Sequence, residues 1–86
     1  MYFAISYAIL KKLGGVLMKL NEAIKNIRNK LSISQEQLAR ELNVSYTTLN
    51  RWENNRTSPS RLAKMRIAEY CSYRNLPQNI INVFKE

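Results

Sequence analysis

The sequence predicts an all-α domain of five short helices. From residue 19 onward, apolar residues recur at helical spacing, and no stretch alternates as a strand would. Ser, Asn and Pro stand where such helices would start and stop. The length, 86 residues, allows one domain with a thin core and little room for an enclosed active site.

In the first helix Leu20, Ala23, Ile24, Ile27 and Leu31 share a face. Asn21 is the expected N-cap, with Glu22 in the first turn where negative charge suits the helix dipole. The helix stops near Lys30-Leu31 and "SIS" is a loop. Ser34 opens the second helix with an expected capping box to Gln37, and Leu38, Ala39 and Leu42 form its buried face. Asn43 ends it, because Asn tolerates the left-handed backbone of a sharp turn, and Val44 plugs the corner. Ser45 caps a third helix, "YTTLNRWENN", whose inward pair is Leu49 and Trp52. "NRTSPS" is a loop, and a fourth helix is expected with Ser58 as cap and Pro59 first. Its apolar face is Ala63, Ile67, Tyr70 and Cys71; "NLP" interrupts, and "PQNIINVFKE" is a fifth helix.

Residues 1–17 fall outside this pattern, and residues 18–86 form the expected domain. "MYFAISYAIL" is too short to span a bilayer, and its positive charges follow the apolar run rather than precede it as in a signal peptide. An extra packed helix, an apolar tail and a segment absent from the native product are the alternatives. The last is favoured, because Met18 offers a second start and Gly14-Gly15-Val16 can be encoded by a purine-rich ribosome-positioning run.

Fourteen Lys and Arg against six Asp and Glu give a net charge of +8, which points to a polyanionic partner, nucleic acid or an acidic membrane surface. The chain has no His and one Cys, which excludes a Cys/His zinc site and an internal disulfide. No cofactor is expected. Cys71 lies on an apolar face as a small buried side chain, and a lone thiol suits a reducing cytoplasm. Paired catalytic groups are missing, so an enzyme is the least favoured class.

The stretch "SQEQLARELNVSYTTLNRWE" carries the functional argument. Ala39 is small where the second and third helices must cross, Asn43 turns the chain, and Leu42, Val44, Leu49 and Trp52 lock the pair. The third helix then offers a polar face to solvent, and an α-helix fits the major groove of B-form DNA. This is a helix-turn-helix.

"SQEQLARELNVSYTTLNRWENNRTSPS" resembles the DNA-binding domain of the Xre/Cro phage-repressor family, with its Gln, Leu-Ala, turn, Val-Ser, Leu, Trp-Glu-Asn and later Pro-Ser in order. With flanking helices the likeness covers about residues 19–75. It implies a compact lambda-repressor-like fold. It implies that Gln35 binds phosphate beside the N-terminal amides of the second helix, and that Tyr46, Thr47 and Arg51 face the bases. Ser45, Thr48 and Asn50 would lie at the phosphate edge, with Asn54 and Arg56 on the backbone. Arg28 and Glu53 match a structural ion pair joining the first and third helices. The sequence departs from the family in having Asn43 and Asn55 where Gly is frequent. It also has Tyr46 and Thr47 where bidentate amides are frequent, which leaves Arg51 as the expected guanine contact.

Plainer roles compete. Trp52 reads as core, Arg51 as a solvated cation or the partner of a nearby Glu, and Tyr46 as packing. Arg61, Lys64, Arg66 and Arg74 read as ordinary exposed charges. Ile80, Ile81, Val83 and Phe84 are more apolar than a small domain's end needs; a homodimer surface and closure of the core both explain them. The leading expectation is a cytoplasmic, nucleoid-associated regulator of phage or mobile-element type, repressing as a homodimer on a palindromic operator. A DNA-binding antitoxin with a toxin partner fits equally. A protein-interaction or membrane-surface module is disfavoured, since cations cluster around Gln35 and Arg51–Arg56 and only Lys11 and Lys12 adjoin the apolar start.

Overall fold

The structure, a computed structural model, describes residues 18–85. The expectations for residues 1–17 lie outside the described residues. Five helices follow in order: α1 Leu20–Leu31, α2 Gln35–Leu42, α3 Tyr46–Glu53, α4 Arg61–Tyr73 and α5 Gln78–Lys85. Their principal contacts run α1 to α3, α3 to α2, α2 to α4, α4 to α5 and α5 back to α1, a closed circuit around one core. The seam between α4 and α5 therefore lies across the circuit from α3.

Apolar periodicity fills the centre. Ala23, Ile24 and Ile27 of α1 are fully buried, as are Leu38, Leu49 and Cys71, with Trp52 and Ile67 close behind. Ala39 of α2, the small residue expected at the crossing with α3, is also buried. Burial pushes the Cys71 thiol up to about 12, so the group stays a neutral core side chain at physiological pH.

Hydroxyl caps start three of the helices. Ser34 Oγ accepts from the Gln37 amide at 3.0 Å, Ser45 Oγ from Thr48 at 3.0 Å, and Ser60 Oγ from Ala63 at 3.1 Å. Four helices stop in one way. The residues with positive φ among those described are Ser32, Asn43, Asn55 and Asn75, at 56 to 60°. After each, the next amide donates back to a carbonyl five residues earlier: Ile33 to Arg28, Val44 to Ala39, Arg56 to Arg51 and Leu76 to Cys71. Both glycines of the chain, Gly14 and Gly15, precede the described residues, so every left-handed stop is built without one.

Three sequence expectations change. The N-cap of α1 is Lys19, whose amide donates to Glu22 Oε1 at 3.2 Å; Asn21 lies inside the helix with a buried Oδ1 that has no partner. Ser34 makes only half of a capping box, because the Gln37 side chain bonds Glu41 and Arg40 instead of reaching back. Ser60 rather than Ser58 caps α4; Pro59 is buried ahead of the helix and holds the chain extended one residue longer. Of the two roles open to the last helix, closure of the core is met: Ile80, Ile81 and Phe84 are at most 5% exposed, and Val83 is half-buried.

Candidate nucleic-acid interface

The turn between α2 and α3 follows from its residues. Asn43 at φ 60° reverses the chain, and Val44 packs against the core beneath the corner. Leu49 and Trp52 then seat α3 from below. Their helical period leaves Tyr46, Thr47 and Arg51 on the outer face, and all three are exposed; Tyr46 retains 51% of its surface. No acidic side chain lies within ion-pair distance of Arg51 among the described residues. Asn54 and Arg56 follow, both exposed, with Asn55 turning the chain between them at φ 58°.

One ion pair fixes α3 to α1. Arg28 Nε donates to Glu53 Oε2 at 2.7 Å, and Arg28 Nη2 to Oε1 at 2.8 Å. Glu53 is 2% exposed and Arg28 24%. The two parallel bonds define the orientation of both planar groups. Hydrogen bonding to Glu53 raises the guanidinium pKa further, which keeps Arg28 charged.

A second connection was not legible in the sequence. Asn54 Nδ2 donates to Asn50 Oδ1 at 3.1 Å and to the Asn50 carbonyl at 3.0 Å, while Asn50 Nδ2 donates to Gln35 Oε1 at 3.2 Å. Gln35, Asn50 and Asn54 thus form one chain from the start of α2 to the end of α3. Gln35 Nε2 has no acceptor among the described residues, so it remains a donor beside the first amides of α2. Ser45 is more committed. Its Oγ caps α3 and donates to Thr48 Oγ1 at 2.9 Å, leaving the Thr48 hydroxyl proton free to donate elsewhere.

Another cluster joins α2 to α4. Glu41 accepts from Tyr70 and, at 2.8 Å, from Arg74 Nη1, and the Arg74 guanidinium lies 5.7 Å from the Tyr70 ring centre. Hydrogen bonds from Tyr70 and Gln37 hold the Glu41 carboxyl below its ordinary range, while burial and then the Glu41 contact push Tyr70 up to about 12. Arg74 is therefore a tie between helices, whereas Arg61 and Arg66 are the exposed cations expected and Lys64 is half-buried. The spacing of Tyr70 and Arg74, four apart on one face, was a usable signal; Glu41, 29 residues before Tyr70, gave none.

Among the described residues no group of three or more His, Cys, Asp or Glu is placed to hold a metal, and no helix is long and apolar enough to cross a membrane. No curated protein and no solved structure matches the chain. A family model described as helix-turn-helix matches residues 24–73, from within α1 to the end of α4. With the locked turn and the outward polar face of α3, this establishes that the chain belongs to the Cro/C1-type, Xre-like helix-turn-helix family of DNA-binding regulatory domains.

Proposed function

We propose that the protein is a sequence-specific double-stranded DNA-binding regulator that represses transcription as a homodimer on a palindromic operator. The carrying observation is the outer face of α3: Tyr46, Thr47 and Arg51 stand exposed on a helix fixed by Leu49, Trp52 and the Arg28–Glu53 pair. In this reading Arg51 donates to a guanine edge, while Tyr46 and Thr47 meet neighbouring bases, including a thymine methyl. Gln35 Nε2 and the α2 amides hold one phosphate. Thr48, Asn50, Asn54 and Arg56 line the flanking backbone, and Ser45 acts mainly by positioning Thr48. One domain spans few base pairs. Two copies about a twofold axis place their α3 helices in successive major grooves, ~34 Å apart. Such a dimer blocks polymerase by occupying the promoter.

Selection of bound duplexes from a random pool tests this directly. A palindrome with half-sites about one helical turn apart is expected; recovery of no common sequence would refute sequence-specific reading. On the selected site, Arg51→Ala should cost ~1–3 kcal/mol and relax preference at one position. Equal losses on all duplexes would remove Arg51 from the bases. Arg56→Ala should weaken binding to every sequence and lower the salt slope by about one. An unaltered slope would take Arg56 off the backbone.

A further inference from the structure

We infer that Asn50 and Asn54 are positioning residues that turn the Gln35 amide so that its hydrogens face the DNA phosphate. This rests on the proposed phosphate contact of Gln35 and adds what orients it. The two ends of a primary amide have nearly the same shape, but one donates two hydrogens and the other only accepts. Half a turn of the Gln35 amide would set its oxygen against the phosphate oxygens, and two acceptors repel. Some group must therefore fix which end points outward.

The fixed point is a backbone carbonyl. The Asn50 carbonyl oxygen can only accept, and it lies 3.0 Å from the Asn54 side-chain amide, so the atom facing it must be Nδ2. The second Nδ2 hydrogen goes to the Asn50 side chain at 3.1 Å, which must accept with Oδ1. Asn50 Nδ2 then reaches from α3 to α2 and donates to Gln35 at 3.2 Å, which must accept with Oε1. Gln35 Nε2 is left at the outer end, with no acceptor among the described residues. Polarity thus passes from the end of α3 to the start of α2 through three amides. None of them can turn alone without losing a hydrogen bond.

The same count removes Asn54 as a phosphate ligand. Both of its side-chain hydrogens go to Asn50, and its backbone amide also donates to the Asn50 carbonyl, at 3.0 Å. Only Oδ1 remains, an acceptor that a phosphate repels. Asn54 stands exposed along the flank of α3, yet it acts through Gln35; Asn50, half-buried, is the link. The phosphate donor on α2 therefore takes its orientation from α3, the helix whose outer face carries Arg51. A mere tie between the helices would need no particular polarity, and the carbonyl anchor imposes one.

Two measurements test this. The first uses no DNA. Three-bond couplings in the ¹³C,¹⁵N-labelled full chain report the Gln35 side-chain rotamers. One rotamer is expected in the parent and in Thr47→Ala, and an average of several in Asn54→Ala, although Asn54 makes no hydrogen bond to Gln35. The second is a double-mutant cycle on the selected duplex and on an unrelated one of equal length. Gln35→Ala and Asn54→Ala should each weaken binding about three- to tenfold on both duplexes. The double variant should bind no more weakly than Gln35→Ala alone. The amides carry no charge, so the salt slope should stay that of the parent. Thermal melting of each variant checks that it is folded. Gln35 rotamers that ignore Asn54→Ala, or additive losses in the cycle, would overturn the inference, the latter by placing Asn54 on the DNA itself. Parent-like binding by Gln35→Ala would instead refute the phosphate contact, and this use of the chain with it. The rotamers are read without DNA, so the two failures are told apart.

Discussion

Helices α3 and α5 are each eight residues long, and each buries three side chains. In α5 these are Ile80, Ile81 and Phe84; in α3 they are Leu49, Trp52 and Glu53. The one charged member is the difference. Helix α5 is held by burial, which is strong but non-directional. Helix α3 is held by burial plus a bidentate ion pair that defines its rotation about its own axis. A helix that only closes a core tolerates a small roll. A helix that, as proposed, presents the exposed Tyr46, Thr47 and Arg51 to DNA does not, because a roll moves every tip at once.

Cavity formation should show the contrast most strongly. Phe84→Ala removes a fully buried ring from α5 and should cost ~3–5 kcal/mol in urea unfolding. Thr47→Ala, on the exposed face of α3, should stay within about 0.5 kcal/mol of the parent. Comparable losses from the two would erase the distinction.

Next comes the ion pair. Arg28→Ala leaves the Glu53 carboxylate buried without its cation and should cost about 3 kcal/mol. Combining Arg28→Met with Glu53→Leu should restore much of the stability but not the DNA affinity, since the rotational constraint is gone. Recovery of both properties would show that the pair contributes stability alone.

The smallest effect concerns α4, the neighbour of α5. Tyr70 has a pKa raised to about 12, so the folded chain holds this proton more tightly than the unfolded chain. Its contribution is fully present below about pH 10 and is lost as pH rises toward 12. Cys71, also raised to about 12, adds to the same alkaline loss. Tyr70→Phe should flatten part of the fall in melting temperature above pH 10. The same change should weaken the acid-side contribution of Glu41, which is present above the ordinary carboxylate pKa and lost as pH falls through the depressed value. An identical alkaline slope in Tyr70→Phe and the parent would remove Tyr70 from this account.

Short-range chemistry was the legible part of the sequence. Ser34, Asn43 and Ser45 bound α2 and α3 where local hydrogen bonds predict, and the spacing of Leu49 and Trp52 leaves Tyr46, Thr47 and Arg51 outward. The start of α4 was harder, because Ser58 and Ser60 carry the same hydroxyl and burial of Pro59 decides between them. The role of α5 was also open: apolar residues near a chain end serve a core or a partner equally, and only packing against α1 and α4 decides. The Gln35–Asn50–Asn54 chain and the Glu41–Tyr70–Arg74 cluster join separate helices, and periodicity along one helix does not report on its neighbour.

The glycine-free stops at Ser32, Asn43, Asn55 and Asn75 have an evolutionary corollary. Each holds a side chain where glycine would sit without steric conflict, so each keeps some folding free energy in reserve. Ser32 holds the most, since serine lacks asparagine's tolerance for that conformation. Relieving it would offset the damage of adventurous changes on α3, and so give this small scaffold latitude to vary its exposed α3 side chains without losing its fold.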